Sequence, residues 1–414
     1  MYDFVIKIYV FLIKLAALAG NDKAKKWIEG RKNIFSKLFK TINKDTPLIL
    51  IHCSSLGEFE QGRPLIEAIK QNFPSYKILL TFFSPSGYEI RKNYKNADYI
   101  FYLPADTKKN STLLIENLNI KLAIFVKYEF WKNYIEKLHN KKIPVILISA
   151  IFRPKQLFFK WYGKSYAKIL KYFTHIFVQN EESAKLLKNI GIYKNVTIAG
   201  DTRFDRVYEI YKAGQPDNIV KKFASFSDKP IIVGGSTWDK DEEILTKFIN
   251  TEKNVRLIIA PHEVSKEHIT RITKLLKTSY SLYTNTISPT SVLIINTIGV
   301  LNKAYRIAKI AYIGGGFSSG IHNILEAAVY GVPVIFGPNY QKFKEANDLI
   351  KAKAAFSIKN YTEFKDIVEK LNTDSKFYKQ ASEAAQQYIK DNIGATKKIL
   401  SIISKKLKND KEKN

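Results

Sequence analysis

A single cysteine, a single methionine and six histidines are scattered through 414 residues. The lone thiol, Cys53, has no partner for an intramolecular disulfide, and no CxxC or paired Cys/His spacing is present to hold structural zinc. Disulfide-stapled scaffolds and zinc fingers are therefore excluded, and a reducing compartment fits. Arginine is also sparse. Of the 67 basic residues only nine are arginine, so the charge is carried by lysine, a flexible point charge rather than a rigid fork. Acidic residues number 38, which leaves a net charge of +29. No zinc-finger pattern or RNP-like aromatic run accompanies that charge, so it is read as solvated surface lysine together with attraction to an anionic membrane, with no nucleic acid partner. No short internal repeat is present, which sets solenoids and propellers aside.

What the chain does contain is 45% hydrophobic and 13% aromatic residues, enough to bury a sizeable core. At roughly 150 residues per domain, this length predicts two or three domains. Residues 1–20 are mostly apolar but interrupted by Asp3, Lys7 and Lys14, which fall on one face of a helix. At roughly 2.5–3.5 kcal/mol per charge, a membrane-spanning placement is disfavoured, whereas lying in the headgroup plane satisfies both faces. The stretch is expected to be a membrane-associated helix. Lys23, Lys25, Lys26, Arg31 and Lys32 follow, suited to anionic headgroups.

From Pro47 onward, short apolar runs alternate with helical patterns, the signature of βα units in a parallel sheet. A first series of candidate strands covers 48–53, 78–83, 99–103, 122–126, 145–149, 176–179 and 196–199. A polar stretch with Gly214, Pro216 and Asp217 interrupts it, and a second series covers 231–234, 256–259, 292–295, 310–313 and 332–336. The expected organisation is α/β: a doubly wound Rossmann-like domain over 21–212, a linker over 213–229, a second Rossmann-like domain over 230–404 and a charged, fraying tail over 405–414. Ligands of such folds sit outside the carboxyl ends of the strands, and an interdomain cleft is the expected site.

Several motifs carry chemistry. Ile310-Ala-Tyr-Ile-Gly-Gly-Gly-Phe-Ser-Ser-Gly320 followed by residues 321–328 reads as strand, glycine turn and helix, an expected anion cradle. Gly316-Phe-Ser-Ser-Gly320 also fits a nucleophile elbow, but the last histidine, His322, lies only four residues after Ser318, too close for a hydrolase triad. Asp239 and Asp241 are read as the first turn of a helix rather than a metal pair. Glu58 follows the strand Leu48–Cys53 and is either a helix N-terminal charge or a general base; Glu129 follows another strand end. In so lysine-rich a chain, Arg63, Arg153, Arg203 and Arg206 suggest fork geometry, directed either at an anionic ligand or at neighbours such as Asp201 and Asp205.

Seven blocks in order resemble the 3-deoxy-D-manno-octulosonic acid (Kdo) transferases: Ser54–Gln61, Thr81–Tyr88, Tyr102–Asp106, Val126–Trp131, Ile148–Pro154, Gly200–Arg206 and Gly314–Gly337. The resemblance implies a GT-B glycosyltransferase that moves Kdo from CMP-Kdo to a lipid A precursor of lipid IV-A type, in lipopolysaccharide core biosynthesis at the cytoplasmic face of a Gram-negative inner membrane. It implies inversion, no metal and no cofactor. By the same resemblance Glu58 is the catalytic base and Glu129 the second essential acid. Ser236, Thr237, His262, Gly315, Gly316, Asn323 and Glu326 would bind the CMP-Kdo donor, with Glu326 on the ribose. Ser55, Gly57, Lys127, Arg153 and Arg203 are weaker candidates for acceptor, carboxylate or phosphate contacts. The chain departs from the family in lacking a basic residue between Pro261 and His262, and in placing Trp238 where a polar residue is common. A GT-B transferase with another donor, or a GT-B nucleotide-sugar epimerase, is the alternative.

Overall fold

The computed structural model describes residues 2–214 and 217–411, without the side chains of 409–411. Pro216 and residues 412–414 of the expected tail lie outside the described residues. The chain forms two compact units, one of residues 1–206 and 393–414, the other of residues 207–392.

The first unit is built on seven strands: β1 (Leu48–Cys53), β2 (Lys77–Phe82), β3 (Tyr99–Tyr102), β4 (Ile120–Val126), β5 (Val145–Ala150), β6 (His175–Val178) and β7 (Val196–Ile198). They pair in the order β3-β2-β1-β4-β5-β6-β7, all parallel, with the direction of winding reversing between β1 and β4. Every residue of β1 is buried, as a parallel sheet covered on both faces requires. The alternation of side chains along β1 divides the core: Leu48 and Leu50 enter one cluster and Ile49, Ile51 and Cys53 the other.

The second face of that sheet is covered by the helix α4 (Leu56–Asn72), which follows β1, and by the last helix of the chain, Ala395–Lys411. Ala395, Ile399, Ile403 and Leu407 recur every fourth residue, so one stripe of the last helix faces the sheet. Asp205 fixes the start of that helix by accepting from the backbone N–H groups of Gly394 and Thr396. The expected fraying tail is thus corrected: lysines crowd the outer face, but Leu407 is buried. The expected linker over 213–229 contains a helix, Asn218–Ser225, whose Val220 and Phe223 are buried.

Three helices precede β1: α1 (Tyr2–Leu18), α2 (Asp22–Arg31) and α3 (Ile34–Thr41). No residue of α1 is fully buried, and Phe4, Val5, Ile8, Phe11, Leu12, Leu15 and Leu18 are exposed along one side. Its opposite side is tied down at the start. Tyr2 donates to Asp106 at 2.7 Å, and Asp3 accepts from the Asn133 amide at 2.9 Å. Among the described residues no helix is long and apolar enough to cross a membrane.

The second unit holds β8 (Ile231–Thr237), β9 (Arg256–Pro261), β10 (Tyr280–Leu282), β11 (Val292–Ile294), β12 (Ile310–Ile313), β13 (Val334–Phe336) and β14 (Ala355–Ser357). Its parallel order is β10-β11-β9-β8-β12-β13-β14, with the reversal between β8 and β12. β10 and β14 are absent from the sequence-based expectation. Each is a three-residue edge strand and too short to register as an apolar run.

Candidate active site

In a doubly wound sheet the loops diverge where the winding reverses, and a crevice opens at the carboxyl ends of the two strands there. In the first unit those strands are β1 and β4; Glu58 stands in the first turn of α4, which follows β1, and Glu129 in the loop after β4. Ser55 caps α4, and its backbone N–H and its hydroxyl both donate to Glu58 Oε2, at 2.8 and 3.1 Å. The two readings of Glu58 therefore coincide. One oxygen serves the helix cap and holds the carboxylate in place, while Oε1 has no bond among the described residues. Burial and then the charge of Glu129 push the Glu58 pKa upward, against the opposing pull of the Ser55 hydrogen bonds.

Glu129 is buried, and two ring N–H groups converge on its Oε2: Nε2 of His52 at 3.1 Å and the indole of Trp131. His52 lies within β1, fully buried, with Nδ1 2.9 Å from the Thr81 hydroxyl on β2. The aromatic rings of Phe125 and Trp131 meet its imidazole edge to face, at 5.9 and 6.1 Å between centroids. Sequence reasoning missed His52. Its one signal was a polar residue inside the apolar run Leu48-Ile-Leu-Ile-His-Cys53.

The weaker candidates fall in different places. Gly57 is exposed beside Glu58, with open space where a Cβ would stand. Lys127 turns the chain out of β4 in the left-handed region, φ 69°, and its ammonium lies over the Tyr128 ring. Arg153, exposed, approaches the same ring at 5.9 Å. Arg203 chelates Asp201, with Nε and Nη2 2.8 and 2.7 Å from Oδ2. Arg63 and Arg206 converge on Glu67, at 2.8 and 3.2 Å. Of the two readings of these arginines, ion pairing describes Arg63, Arg203 and Arg206.

In the second unit the reversal lies between β8 and β12, and the loops after them pack closely. Asp241, in the first turn of the helix Asp239–Thr251, accepts from the N–H of Trp238, the N–H of Gly315 and the Tyr312 hydroxyl at 2.9, 2.9 and 2.7 Å. The expected anion cradle over 314–320 is altered accordingly. The Gly315 N–H is bound to a carboxylate within the protein, and the N–H groups of Gly314, Ser318 and Gly320 donate to backbone carbonyls. Gly316 lies against Gly337, where an added Cβ would come within 2.5 Å of backbone. The helix expected over 321–328 is reduced to Leu325–Ala328, because Asn323 makes a turn there, accepting from the Leu325 N–H and donating to Glu326 at 3.0 Å.

Ser236 stands at the end of β8 with φ 52°. Thr237 is fully buried, its hydroxyl donating to Glu242 at 3.0 Å, so its contribution is to hold the loop rather than to meet a ligand. His268 bonds to the same Glu242 oxygen at 2.8 Å. Asp239, Glu242 and His268 place one ligand atom each within 4.8 Å of one another, but Arg271 supplies the positive charge there, paired with Asp239 and 3.5 Å from Glu242.

Three rings from three loops stack above this corner. Trp238 lies 4.7 Å from His262, and His262 lies 4.5 Å from His322. The Trp238 indole donates to His322 Nε2 at 3.1 Å. An indole nitrogen is only a donor, so His322 must accept at Nε2 and carry its proton on Nδ1. Burial and the neighbouring His262 hold the His322 pKa down to about 4. His262, the middle ring of the three, is exposed.

Residues 29–206 match the sequence profile of the family described as 3-deoxy-D-manno-octulosonic-acid transferase (kdotransferase). A protein of Rickettsia bellii named 3-deoxy-D-manno-octulosonic acid transferase is 29% identical over 378 residues, covering 86% of this chain and 88% of its own length. A bifunctional glycosyltransferase/methyltransferase of Fusobacterium nucleatum is 27% identical over 365 residues, 84% of this chain and 56% of its own length. The fold is similar to that of UDP-GlcNAc 2-epimerase from Neisseria meningitidis, with a TM-score of 0.62 at 16% identity over 87% of this chain and all of that one. It is likewise similar to a glycosyltransferase from Rickettsia africae, with a TM-score of 0.58 at 16% identity over 89% of this chain and all of that one. The chain thus holds two parallel-sheet, Rossmann-like units that resemble those of GT-B glycosyltransferases.

Proposed function

We propose that this glycosyltransferase, a homologue of the Kdo transferases, moves Kdo from CMP-Kdo to a lipid A precursor of lipid IV-A type, with inversion and without a metal. The observation that carries the reading is the pair Glu58 and Glu129 at the reversal point of the sheet, inside the segment that matches the Kdo transferase profile. Glu58 Oε1 takes the proton of the acceptor hydroxyl as the hydroxyl oxygen bonds to the anomeric carbon. The bond from that carbon to the phosphate oxygen breaks, and CMP leaves with the electron pair. A single displacement of this kind inverts the anomeric centre. A raised pKa suits Glu58 to the role, because a base is most effective when its pKa approaches the working pH.

The second unit holds the donor. The Trp238, His262 and His322 stack offers a surface for cytosine, and Asn323 with Glu326 reaches the ribose hydroxyls. The exposed apolar side of α1 lies in the headgroup plane at the cytoplasmic face of the inner membrane, with Lys7 and Lys14 at its border.

The test is transfer by purified protein in detergent, with CMP-Kdo generated in situ, tetra-acylated lipid A precursor as acceptor and mass spectrometry of the lipid. EDTA is added after the donor is made and before the enzyme. Lipid gaining the mass of Kdo is the expected result. Folded protein that binds CMP but yields no product would overturn the acceptor, and abolition by EDTA would overturn metal independence.

A further inference from the structure

Arg31, at the end of α2, stacks its guanidinium 3.9 Å from the Trp27 ring centroid and 4.9 and 4.8 Å from those of Phe83 and Tyr102. Its Nε donates to the Leu103 carbonyl at 2.9 Å, Nη1 to Trp27 at 3.2 Å and Nη2 to Phe83 at 2.8 Å. A guanidinium has five N–H groups, so two remain without an acceptor among the described residues. Burial holds its pKa down to about 9, and among the described residues the groups that act on its charge are Tyr102, Tyr134 and Tyr9 rather than a carboxylate. Arg31 is half-buried, and desolvating a cation without an anion carries a cost that falls when an anion arrives.

Arg31 also lines a groove of about 890 Å³, within the range of roughly 300–1,000 Å³ seen for ligand sites. Val10 of α1, Ile28 of α2, Phe35 of α3 and Pro104 contribute apolar wall. Lys14 and Lys32 stand at it exposed, and Glu29 is its acid, so three cations face one carboxylate. Val10 and Lys14 also line a neighbouring hollow together with Lys7 and Phe11, the last being one of the exposed apolar residues of α1. At the inner end, the Trp27 ring meets Phe83 at 5.7 Å, Phe83 meets Trp131 at 4.6 Å, and Trp131 donates to Glu129.

We propose that this groove seats an acyl chain of an anionic lipid, with the headgroup phosphate on Arg31 between Lys14 and Lys32. Apolar walls with cations at the mouth match an amphiphile of that charge, and a run of ring contacts joins Trp27 at the groove to Glu129. The assignment rests on the transferase reading, in which the acceptor is a phosphorylated, acylated lipid, and it names where one chain and one phosphate of such a lipid are held.

The test titrates the full chain with monomeric dihexanoyl phosphatidic acid by calorimetry, with inorganic phosphate and dihexanoyl phosphocholine as comparison probes. Saturable binding of the phosphatidic acid is expected, roughly tenfold or more tighter than either comparison probe. Arg31→Gln and the exposed-site double reversal Lys14→Glu with Lys32→Glu are expected to weaken it about tenfold. Ser36→Trp fills the groove from an exposed position and is expected to abolish binding. No binding of phosphatidic acid, equal affinity for inorganic phosphate, or binding indifferent to Ser36→Trp and the lysine reversals each overturns the proposal. In the transfer assay, an unchanged acceptor KM in Ser36→Trp ends this proposal and leaves the transferase reading intact. Phosphatidic acid binding that depends on Arg31, in a protein that transfers no Kdo, ends the transferase reading alone.

Discussion

His52 Nε2 lies 3.1 Å from Glu129 Oε2, and both side chains are buried. Together with the Trp131 indole, the imidazole fixes one oxygen of the carboxylate and leaves Oε1 without a bond among the described residues. The Thr81 hydroxyl at Nδ1 sets the ring plane from the other side. His52 thus acts through Glu129 as a positioning residue.

Replacing His52 by Ala removes one of two donors from a buried carboxylate. Loss of a hydrogen bond to a charged group, roughly 1.5–3 kcal/mol, predicts a 10- to 150-fold fall in kcat/KM. Steady-state kinetics beside a melting curve check this, and a fall carried by kcat while donor KM holds separates positioning from simple unfolding.

Glu58→Gln is predicted to fold normally, since a glutamine at this position of a capping box still accepts from Ser55, while losing roughly 10²–10⁴ in turnover. Turnover of this variant at the unmutated rate would remove the base assignment.

The raised pKa of Glu58 gives the rate profile a direction. The base must be ionised, so the acid limb of kcat/KM is expected above the ordinary glutamate pKa of 4.5. The charge of Glu129 contributes to that elevation, so Glu129→Gln is expected to shift the limb of the residual activity to lower pH. A limb that stays in place would show that the two carboxylates do not interact.

His322 titrates near 4 when folded and near 6.5 when unfolded. Between those values the unfolded chain binds the proton that the folded chain refuses, so stability falls as pH drops from 6.5 to 4 and this contribution is fully present above 6.5. The melting temperature of His322→Gln should depend less steeply on pH across that window. Equal slopes in the two proteins would count against a neutral, indole-fixed ring.

Ile403→Ala in the last helix is predicted to destabilise the first unit by roughly 2–5 kcal/mol, the usual cost of a large-to-small change in a core. Chemical denaturation followed by circular dichroism measures it, and a cost below about 0.5 kcal/mol would mark the helix as peripheral.

The strands were largely legible because parallel sheets buried on both faces leave continuous apolar runs, as in Leu48–Cys53 and Ile310–Ile313. Glu58 and Glu129 were legible for a related reason: acids directly after two strand ends have few other places to be. His52 was hidden by the same physics, since a polar residue in a buried strand shows its partner only when β1, β2 and β4 are side by side. Trp238, His262 and His322 stack across separations of up to 84 residues, and nothing local announces that. The last helix was misread because Lys397, Lys398, Lys405, Lys406 and Lys408 obscure the stripe of Ile399, Ile403 and Leu407.

That helix bears on the order of events during synthesis. Ribosomes release a chain from its N-terminus, and domains ordinarily close in that order. Here residues 207–392 form a self-contained insertion, while the first unit lacks one covering of its sheet until residues 393–411 have emerged. The second unit can complete its fold while, in the first, α4 and β4 still lack the last helix that packs against them. A nascent chain stalled near residue 392 would hold a finished second unit and an unfinished first, the state in which chaperone binding is most to be expected.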